Sequence, residues 1–318
     1  MRAVRYHEHG GTDVLTTEEL MRPEPAANEL LVAVHAAGIN PVDTYFREGS
    51  YKPATLPWIP GSDVAGVVSA VGDDVTEFKA GDEIYATGLG NGHPGTCAEY
   101  ATVPVELAAS LPDSVSFEQA AAGALVGVTA WQSLIATANL QPAETVLIHG
   151  GSGGVGHMAV QIANATGATV VTTASPKYHD DLDAMGADVV LDYARDDLED
   201  AIEEVGKPDV ILDHRLDEYL PLDCAVAAKG CRIVAIGNED QEATFPSVPA
   251  ARAKALSVHH VSMFNTPDIG DVLSRLATLM EAGALTPRVH QTYDLAEVGA
   301  AHDDVLAESF LGKLVVTP

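Results

Sequence analysis

The stretch HGGSGGVGH, residues 149–157, holds five glycines within nine positions. The apolar run TVLIH, residues 145–149, leads into it and predicts a short buried strand. Over residues 155–163, apolar side chains recur at i, i+3, i+4, i+7 and i+8, which predicts one face of a helix. The pattern G-x-G-x-x-G at residues 151–156 therefore lies between a strand and a helix, the context in which it indicates a dinucleotide site.

Glycines at these places allow a tight turn and let a pyrophosphate approach the backbone. The N-terminus of the following helix adds N–H groups and a partial positive charge. We therefore predict that the loop binds a dinucleotide. The predicted contact residues are Gly151, Ser152, Gly153, Gly154 and Val155. The alternative is a glycine-rich turn that only permits close packing.

The end of the next predicted strand, TVVTT at residues 169–173, bears on the choice between NADH and NADPH. A fold that prefers NAD places Asp or Glu there for the ribose 2′-hydroxyl, but residues 172–179 contain no acid. Ser175 and Lys177 stand there instead, and a hydroxyl and a cation suit a 2′-phosphate. We therefore predict NADPH as the cofactor. Ser175 has a second interpretation, as a helix N-cap before Pro176.

The chain of 318 residues is long enough for two domains, and its charge is strongly unbalanced. Asp and Glu number 46 against 17 Lys and Arg, a formal charge of −29. Such a surface excludes nucleic-acid partners, whose binding depends on contacts between cations and phosphates. It also repels itself unless salt screens it. We therefore expect the cytosol of a salt-accumulating organism; the alternative is an ordinary acidic protein.

The cysteines and the apolar segments argue against export and membrane insertion. Cys97, Cys224 and Cys231 are odd in number and form no C-x-x-C pair, so neither a disulfide framework nor a thiolate zinc site is expected. The N-terminus lacks a signal-type apolar run. The longest uncharged apolar stretch, around residues 120–131, is short for a bilayer. We expect a cytoplasmic protein that has no membrane partner.

Two parts of the chain differ in the pattern of their predicted strands and helices. Residues 1–122 alternate short apolar runs with Gly and Pro, as in a mostly β domain. Residues 123–285 alternate strands and helices, as in a doubly wound parallel sheet. The six predicted strands are TVLIH (145–149), TVVTT (169–173), DVVLD (188–192), DVILD (209–213), RIVAIG (232–237) and LSVHHVSMF (256–264). Residues 286–318 show strand, helix and strand signals, and we assign them to the first domain, which is then discontinuous.

Motifs along nearly the whole chain resemble the zinc-free quinone oxidoreductases, the zeta-crystallin-like family of the medium-chain dehydrogenase/reductase superfamily. The motifs are AGINPVDTYFREG (37–49), PGSDVAGVVSAVG (60–72), AEYATV (98–103), GVTAWQSL (127–134), GGSGGVGHMAVQIA (150–163), GADVVLDY (186–193) and GKLVV (312–316). The resemblance implies an α/β fold, in which a GroES-like β-rich catalytic domain accompanies a Rossmann domain with a doubly wound, six-stranded parallel sheet. We also expect a homodimer or a homotetramer.

The resemblance implies that the protein binds no metal. At the positions where zinc-dependent relatives carry catalytic ligands, this chain has Asn40, Ser62 and Leu125. These side chains supply no thiolate and no imidazole, which are the ligands that zinc prefers. The four-cysteine structural lobe of those relatives is also missing.

The family's chemistry is hydride transfer from NADPH to an acceptor that needs little activation, such as a quinone or an α,β-unsaturated carbonyl compound. The resemblance assigns Asn40, Asp43 and Tyr51 to the catalytic site. Asn40 would hydrogen-bond the cofactor or the substrate, and Tyr51 would donate a proton or polarise the acceptor, with solvent as the other proton source. Each has an alternative: Asn40 before Pro41 is a good N-cap, Asp43 a favourable first-turn acid, and Tyr51 a packing residue.

Further cofactor contacts follow from the resemblance and from the strand ends. Tyr45 and Thr129 would lie near the nicotinamide, and Tyr193 near the adenosine 2′-phosphate. Thr129 could also be an ordinary helix residue. Gly237 and Phe264 end the fifth and sixth strands, where a doubly wound sheet binds its ligand.

The segment LDHRLDEYLPLD, residues 212–223, departs from the family, which usually has a small, glycine-bearing turn there. Three large or charged residues stand near the expected edge of the bound cofactor: His214, Arg215 and Asp217. They could bind an anion, or they could be surface residues. Two other functions stay open: zinc-free reduction of 2-alkenals or enoyl thioesters, and NADPH binding without turnover by a structural or sensor protein.

Overall fold

The computed structural model describes residues 1–51, 53, 55–307 and 309–318. The strands in this part of the chain are β1 (Arg2–Arg5), β2 (Thr16–Glu19), β3 (Glu29–Ile39), β4 (Val64–Val71), β5 (Glu83–Ala86), β6 (Tyr100–Pro104), β7 (Ala108–Ser110), β8 (Thr145–Ile148), β9 (Thr169–Ala174), β10 (Val189–Asp192), β11 (Val210–Asp213), β12 (Arg232–Ala235), β13 (Ser257–His260), β14 (Val289–Asp294) and β15 (Lys313–Thr317). The α-helices are α1 (Pro41–Glu48), α2 (Phe117–Trp131), α3 (Gly154–Thr166), α4 (His179–Ala184), α5 (Leu198–Val205), α6 (Leu216–Val226), α7 (Val248–Lys254), α8 (Ile269–Glu281) and α9 (Val298–Ala307).

The chain divides into two compact units, Met1–Val128 with Pro267–Pro318, and Thr129–Thr266. The sequence pattern set its boundaries after residues 122 and 285 instead. The difference at the second boundary lies in α8, which packs against β7 of the first unit. Tyr85 on β5 donates its phenol hydrogen bond to the carbonyl of Leu273 in α8. An amphipathic helix reveals its apolar face from sequence, but not which sheet will cover that face.

The first unit is built around a mostly antiparallel sheet in the order β14-β15-β3-β4-β5-β7, with β6 also paired to β3. Strand β3 is eleven residues long, is buried over most of its length and pairs antiparallel with β4, β6 and β15. The C-terminal strand β15 pairs antiparallel with the end of β3, so that Leu314 lies opposite Ile39. In the structure β14, α9 and β15 all pack within the first unit.

The second unit is a six-stranded parallel sheet in the order β10-β9-β8-β11-β12-β13. All six predicted strands are confirmed. The last one is shorter than its apolar run, because residues after His260 leave the sheet and Met263–Asn265 form a 3-10 turn. The chain order reverses between β8 and β11, so that their carboxyl ends form the switch point at which such sheets bind ligands.

Helix α2 is longer than the apolar stretch that the sequence suggested. It continues as a π-helical segment, Gln132–Thr137. Among the described residues, this helix of 21 residues is long and apolar enough to cross a membrane, by length and composition alone. A buried core helix passes the same test, and 72% of its most apolar window is buried within the protein.

Candidate functional site

Two glycines of the loop between β8 and α3 are required by close packing. A Cβ on Gly151 would lie 2.2 Å from Thr172 Oγ1, and a Cβ on Gly156 would lie 2.1 Å from the carbonyl oxygen of Gly150. Gly150 itself has a φ of +68°, in the left-handed region that favours glycine. The packing alternative for the loop therefore holds at these positions.

Gly153 is different, because its backbone conformation does not require a glycine and an added Cβ would be in tight contact with only one backbone oxygen. It is the N-cap of α3, with a φ of −66° that any residue adopts. The nearest described heavy atom to an added Cβ is the carbonyl oxygen of Gly150, at 3.3 Å. A position without a side chain at a helix N-terminus leaves room for an anion to reach the first-turn N–H groups. Ser152, Gly154 and Val155 lie on either side of this position.

The predicted 2′-phosphate residues lie at the ends of neighbouring strands of the same sheet. Ser175 follows β9 and stands at the N-cap position of the 3-10 turn Pro176–Tyr178, without a side-chain capping hydrogen bond. Lys177 is exposed, and its ammonium lies 4.7 Å from the centre of the Tyr178 ring. Tyr193 follows β10 and is half-exposed. These positions can receive a phosphate from solvent.

The remaining predicted cofactor residues of the second unit have different surroundings. Thr129 is buried in α2, and Phe264 is half-buried in its 3-10 turn. Gly237 follows β12 and packs closely, since an added Cβ would lie 2.5 Å from the carbonyl oxygen of His214. Their contacts with a cofactor stay predictions.

In the first unit, Asn40 connects the start of α1 to a buried lysine and a buried acid. It stands at the N-cap position of α1, with Pro41 at the first helical position, but its side chain makes no capping hydrogen bond. Its side-chain Nδ2 donates to Asp63 Oδ2 at 2.8 Å, and its Oδ1 accepts from Lys313 Nζ at 2.6 Å. Lys313 also donates to the carbonyl of Ile39.

The two acids of this network are also buried. Asp43 accepts from Ser62 Oγ at 2.7 Å and from the backbone N–H of Asn40 at 2.8 Å. Burial raises the pKa of Asp43 to about 6, although these hydrogen bonds oppose the shift. Burial also raises the pKa of Asp63, and the charge of Lys313 opposes it. Asp63 Oδ1 accepts from the backbone N–H of Leu125 at 2.9 Å.

We call these five residues the lysine-centred network: Asn40, Asp43, Ser62, Asp63 and Lys313. Two of the three positions that correspond to zinc ligands in the metal-dependent relatives, Asn40 and Ser62, belong to it. The third, Leu125, donates its backbone N–H to Asp63. No group of three or more His, Cys, Asp or Glu that could hold a metal ion was found among residues 1–51, 53, 55–307 and 309–318. Sequence reasoning missed Lys313 and Asp63. The available signal was a lysine within the apolar run GKLVV, in a chain that has only seven lysines.

Tyr45 and Tyr51 form an exposed aromatic pair at the other end of α1. Their ring centroids are 6.0 Å apart in an edge-on arrangement, and Tyr51 also lies 5.8 Å from Phe46. The exposed fractions are 37% for Tyr45 and 55% for Tyr51, so both rings are available to a ligand. Helix α1 therefore joins a buried polar network at its start to exposed aromatic rings at its end.

The segment of residues 212–223, which departs from the family pattern, folds back onto the glycine loop. The His214 ring lies against Gly150, where an added Cβ would be 2.8 Å from His214 Cε1. The Arg215 guanidinium pairs with Glu218 and Glu239, each at 2.7 Å. Asp217 accepts hydrogen bonds from the backbone N–H groups of residues 239 and 240. Arg215 and Asp217 thus hold the segment to the loop after β12.

Comparison with known proteins agrees with this architecture. Residues 26–113 match the alcohol dehydrogenase GroES-like domain, which confirms the GroES-like identity of the first unit, and residues 185–316 match a family described as zinc-binding dehydrogenase. Human quinone oxidoreductase is 34% identical over 99% of this chain and 97% of its own length.

Solved structures give the same result across the whole chain. An NAD-dependent alcohol dehydrogenase superposes with a TM-score of 0.92 at 30% identity, covering 100% of both chains. Escherichia coli quinone oxidoreductase complexed with NADPH superposes with a TM-score of 0.89 at 30% identity, again over 100% of both chains. The chain therefore belongs to the quinone oxidoreductase family of the medium-chain dehydrogenase/reductase superfamily.

Proposed function

We propose that this oxidoreductase is a zinc-independent, NADPH-dependent reductase of quinones or α,β-unsaturated carbonyl compounds. Gly153 carries the proposal. It has no side chain, it is the N-cap of a helix at the switch point of a parallel sheet, and its backbone conformation does not require glycine. The NADPH complex of the Escherichia coli relative supports the same ligand.

The second unit supplies the cofactor contacts. The first-turn N–H groups of α3 bind the pyrophosphate, because the helix dipole and the free donors both favour an anion. Ser175 and Lys177 bind the 2′-phosphate, for which a hydroxyl and an exposed ammonium are suited. When bound, NADPH supplies the hydride from its nicotinamide ring.

The lysine-centred network supports the absence of a zinc ion from the reaction. The Lys313 ammonium is buried within hydrogen-bonding distance of Asn40. A divalent cation at the same positions would be repelled by that ammonium at low dielectric. It would also find Asn40 Oδ1 and both oxygens of Asp63 already accepting hydrogen bonds. We propose that Asn40 and Asp43 position α1.

Without a Lewis acid the acceptor must be activated by its own conjugation, which quinones and enones provide. The exposed Tyr45 and Tyr51 rings each offer an aromatic surface that a quinone ring can pack against. The exposed Tyr51 phenol can donate a proton to the reduced oxygen, and solvent can do the same. A Tyr51→Phe variant separates these sources.

The proposal is tested by following NADPH oxidation with a quinone, a 2-alkenone, a 2-alkenal, an enoyl thioester and no acceptor. We expect turnover with the quinone or the enone, unchanged after chelator treatment and gel filtration. Turnover of only the alkenal or the thioester would reassign the substrate. Binding without turnover of any acceptor would favour a structural or sensor protein, and activity lost on chelation and restored by zinc would contradict the metal-free mechanism.

Replacing Lys177 by glutamate should weaken NADPH binding by roughly tenfold or more, while NADH binding changes little. The substitution exchanges attraction for repulsion at the 2′-phosphate alone, which NADH lacks. Fluorescence titrations with both cofactors measure the effect. Lys229→Glu is the matched control, because Lys229 is also exposed in the second unit. This substitution changes the net charge by the same amount as Lys177→Glu. Equal losses for both cofactors would remove Lys177 from the 2′-phosphate site.

We also propose that the acidic surface is an adaptation to a salty cytoplasm. With a formal charge of −29, repulsion reaches over roughly 30 Å at 0.01 M salt and about 3 Å at 1 M. The thermal midpoint and the NADPH association rate should therefore both rise between about 0.05 and 2 M KCl. Calorimetry and stopped-flow fluorescence measure them. A nonionic osmolyte should not reproduce the rate gain, and a flat or falling midpoint would refute the adaptation.

The homo-oligomer, a dimer or a tetramer, stays a proposal. Light scattering after gel filtration across the same salt series decides between them and a monomer.

A further inference from the structure

A pair of buried acids lies at the switch point of the second unit. Asp213 ends β11 and Asp223 lies on α6, and neither side chain is exposed. Each carboxyl group shifts the pKa of the other, so the two lie close together. Yet Oδ2 of each has no donor among the described residues. Two ionised carboxylates cannot donate to one another, whereas a single proton between them satisfies both orphaned oxygens.

His149 connects this acid pair to the glycine loop. It immediately precedes Gly150, and its Nε2 lies 2.8 Å from Asp223 Oδ1. The ring is buried and stacks on Tyr219 at 4.5 Å and 12°. Burial lowers the pKa of His149 to about 4, so the neutral imidazole donates its Nε2–H to Asp223. The backbone N–H of His149 donates to the carbonyl of Leu212, which fixes the residue from its other side.

We propose that Asp213 and Asp223 share one proton, and that the pair acts through His149 to position the glycine loop for the cofactor. The second half rests on the proposed function, since it requires NADPH at that loop. All three are positioning residues, because they act on the loop and not on the reacting atoms.

The surrounding charges leave the second negative charge of the pair without compensation. Arg215 donates its backbone N–H to Asp213 Oδ1 at 2.6 Å, but its guanidinium is paired with Glu218 and Glu239. The Lys254 ammonium donates to the backbone carbonyls of residues 224 and 225. The other titratable groups that face the cluster are His214, Tyr219 and the thiols of Cys224 and Cys231. Burial raises the pKa of both thiols, which therefore stay neutral.

Burial also raises the pKa of both carboxyl groups, and their mutual repulsion adds to the shift at Asp213. The retained proton belongs to the pair. As pH rises through the pair's upper pKa, this proton is lost and the pair becomes doubly negative. The pair contacts His149, the residue before the glycine loop, so the added charge repels a pyrophosphate bound at that loop. NADPH affinity should then fall by roughly tenfold.

The proton itself is tested on the protein without cofactor, by infrared spectroscopy. Wild type should show the carbonyl band of a protonated buried carboxyl at neutral pH, and the band should vanish on raising the pH. Asp223→Asn and Asp213→Asn should each lack the band, because the amide donates to the remaining carboxylate and no proton is needed. Wild type without the band at neutral pH would overturn the shared proton.

The positioning role is tested by NADPH titrations from about pH 7, above the second pKa of a phosphate monoester, to about pH 9.5. Wild type should lose affinity with rising pH, and the two Asn variants should lose much less. Asp200→Asn, which removes an exposed acid of α5, should follow wild type. Identical profiles in wild type and both Asn variants would overturn the positioning role. Failure of wild type to bind NADPH at any pH would instead refute the proposed cofactor, and the infrared result would still decide the shared proton.

Discussion

Replacing Gly153 by valine should leave a folded protein that no longer binds NADPH. The backbone at this N-cap accepts any residue, and an added Cβ has the carbonyl oxygen of Gly150 as its nearest described neighbour, at 3.3 Å. A branched side chain would occupy the approach to the first-turn N–H groups. Loss of two hydrogen bonds to a charged phosphate, at about 1.5–3 kcal/mol each, weakens binding by roughly a hundredfold or more.

The measurement pairs a fluorescence titration of NADPH with a denaturant unfolding curve. Gly156→Ala is the contrasting variant, because its Cβ would lie 2.1 Å from a backbone oxygen and should lower stability as well as binding. Unchanged affinity in folded Gly153→Val would mean that the pyrophosphate does not approach this residue.

Replacing Lys313 by methionine should destabilise the first unit by about 3–5 kcal/mol, because it removes the cation from a buried cluster of acids. Asp43 and Asp63 would share the interior with no positive partner, and Asn40 Oδ1 would lose its donor. Their carboxyl pKa values, already raised by burial, would rise further. A carboxyl with a raised pKa is least costly when protonated, so the loss of stability should shrink as pH falls.

Urea unfolding at several pH values and at constant salt measures this loss. Lys79→Met is the matched control, since Lys79 is exposed in the same unit and pairs at the surface with Asp82. Asp63→Asn in the Lys313→Met background should recover part of the stability. A Lys313→Met protein as stable as the control would show that the ammonium does not compensate the acids.

The fold was largely predictable because its signals are local. Most strands of the second unit are runs of β-branched and apolar residues, and the glycine loop identifies the first strand–helix unit. The sequence pattern assigned helix α8 to the second domain, because an apolar face does not show which sheet covers it; in the structure it packs against β7 of the first unit.

The candidate sites were harder to predict, because their key contacts join distant residues. Lys313 and Asn40 are 273 positions apart. The sequence around either residue does not predict its contact with the other. Asp213 and Asp223 lie close in sequence, but the charges of LDHRLDEYLPLD and Pro221 inside α6 resemble an exposed turn. Burial of those acids depends on packing that a linear pattern does not contain.

The position of Lys313 in the chain has a consequence for synthesis. The acids of its network are made early: Asp63 precedes Lys313 by 250 residues (313 − 63). At about 5–20 residues per second, a ribosome needs roughly 10–50 s to cover that interval. During this time the whole of residues 129–266 emerges and can fold, while the N-terminal β-rich part still lacks β15 and its cation. The first unit can therefore be completed only after the second has been synthesised, because β15 joins a sheet most of whose other strands were translated before residue 129.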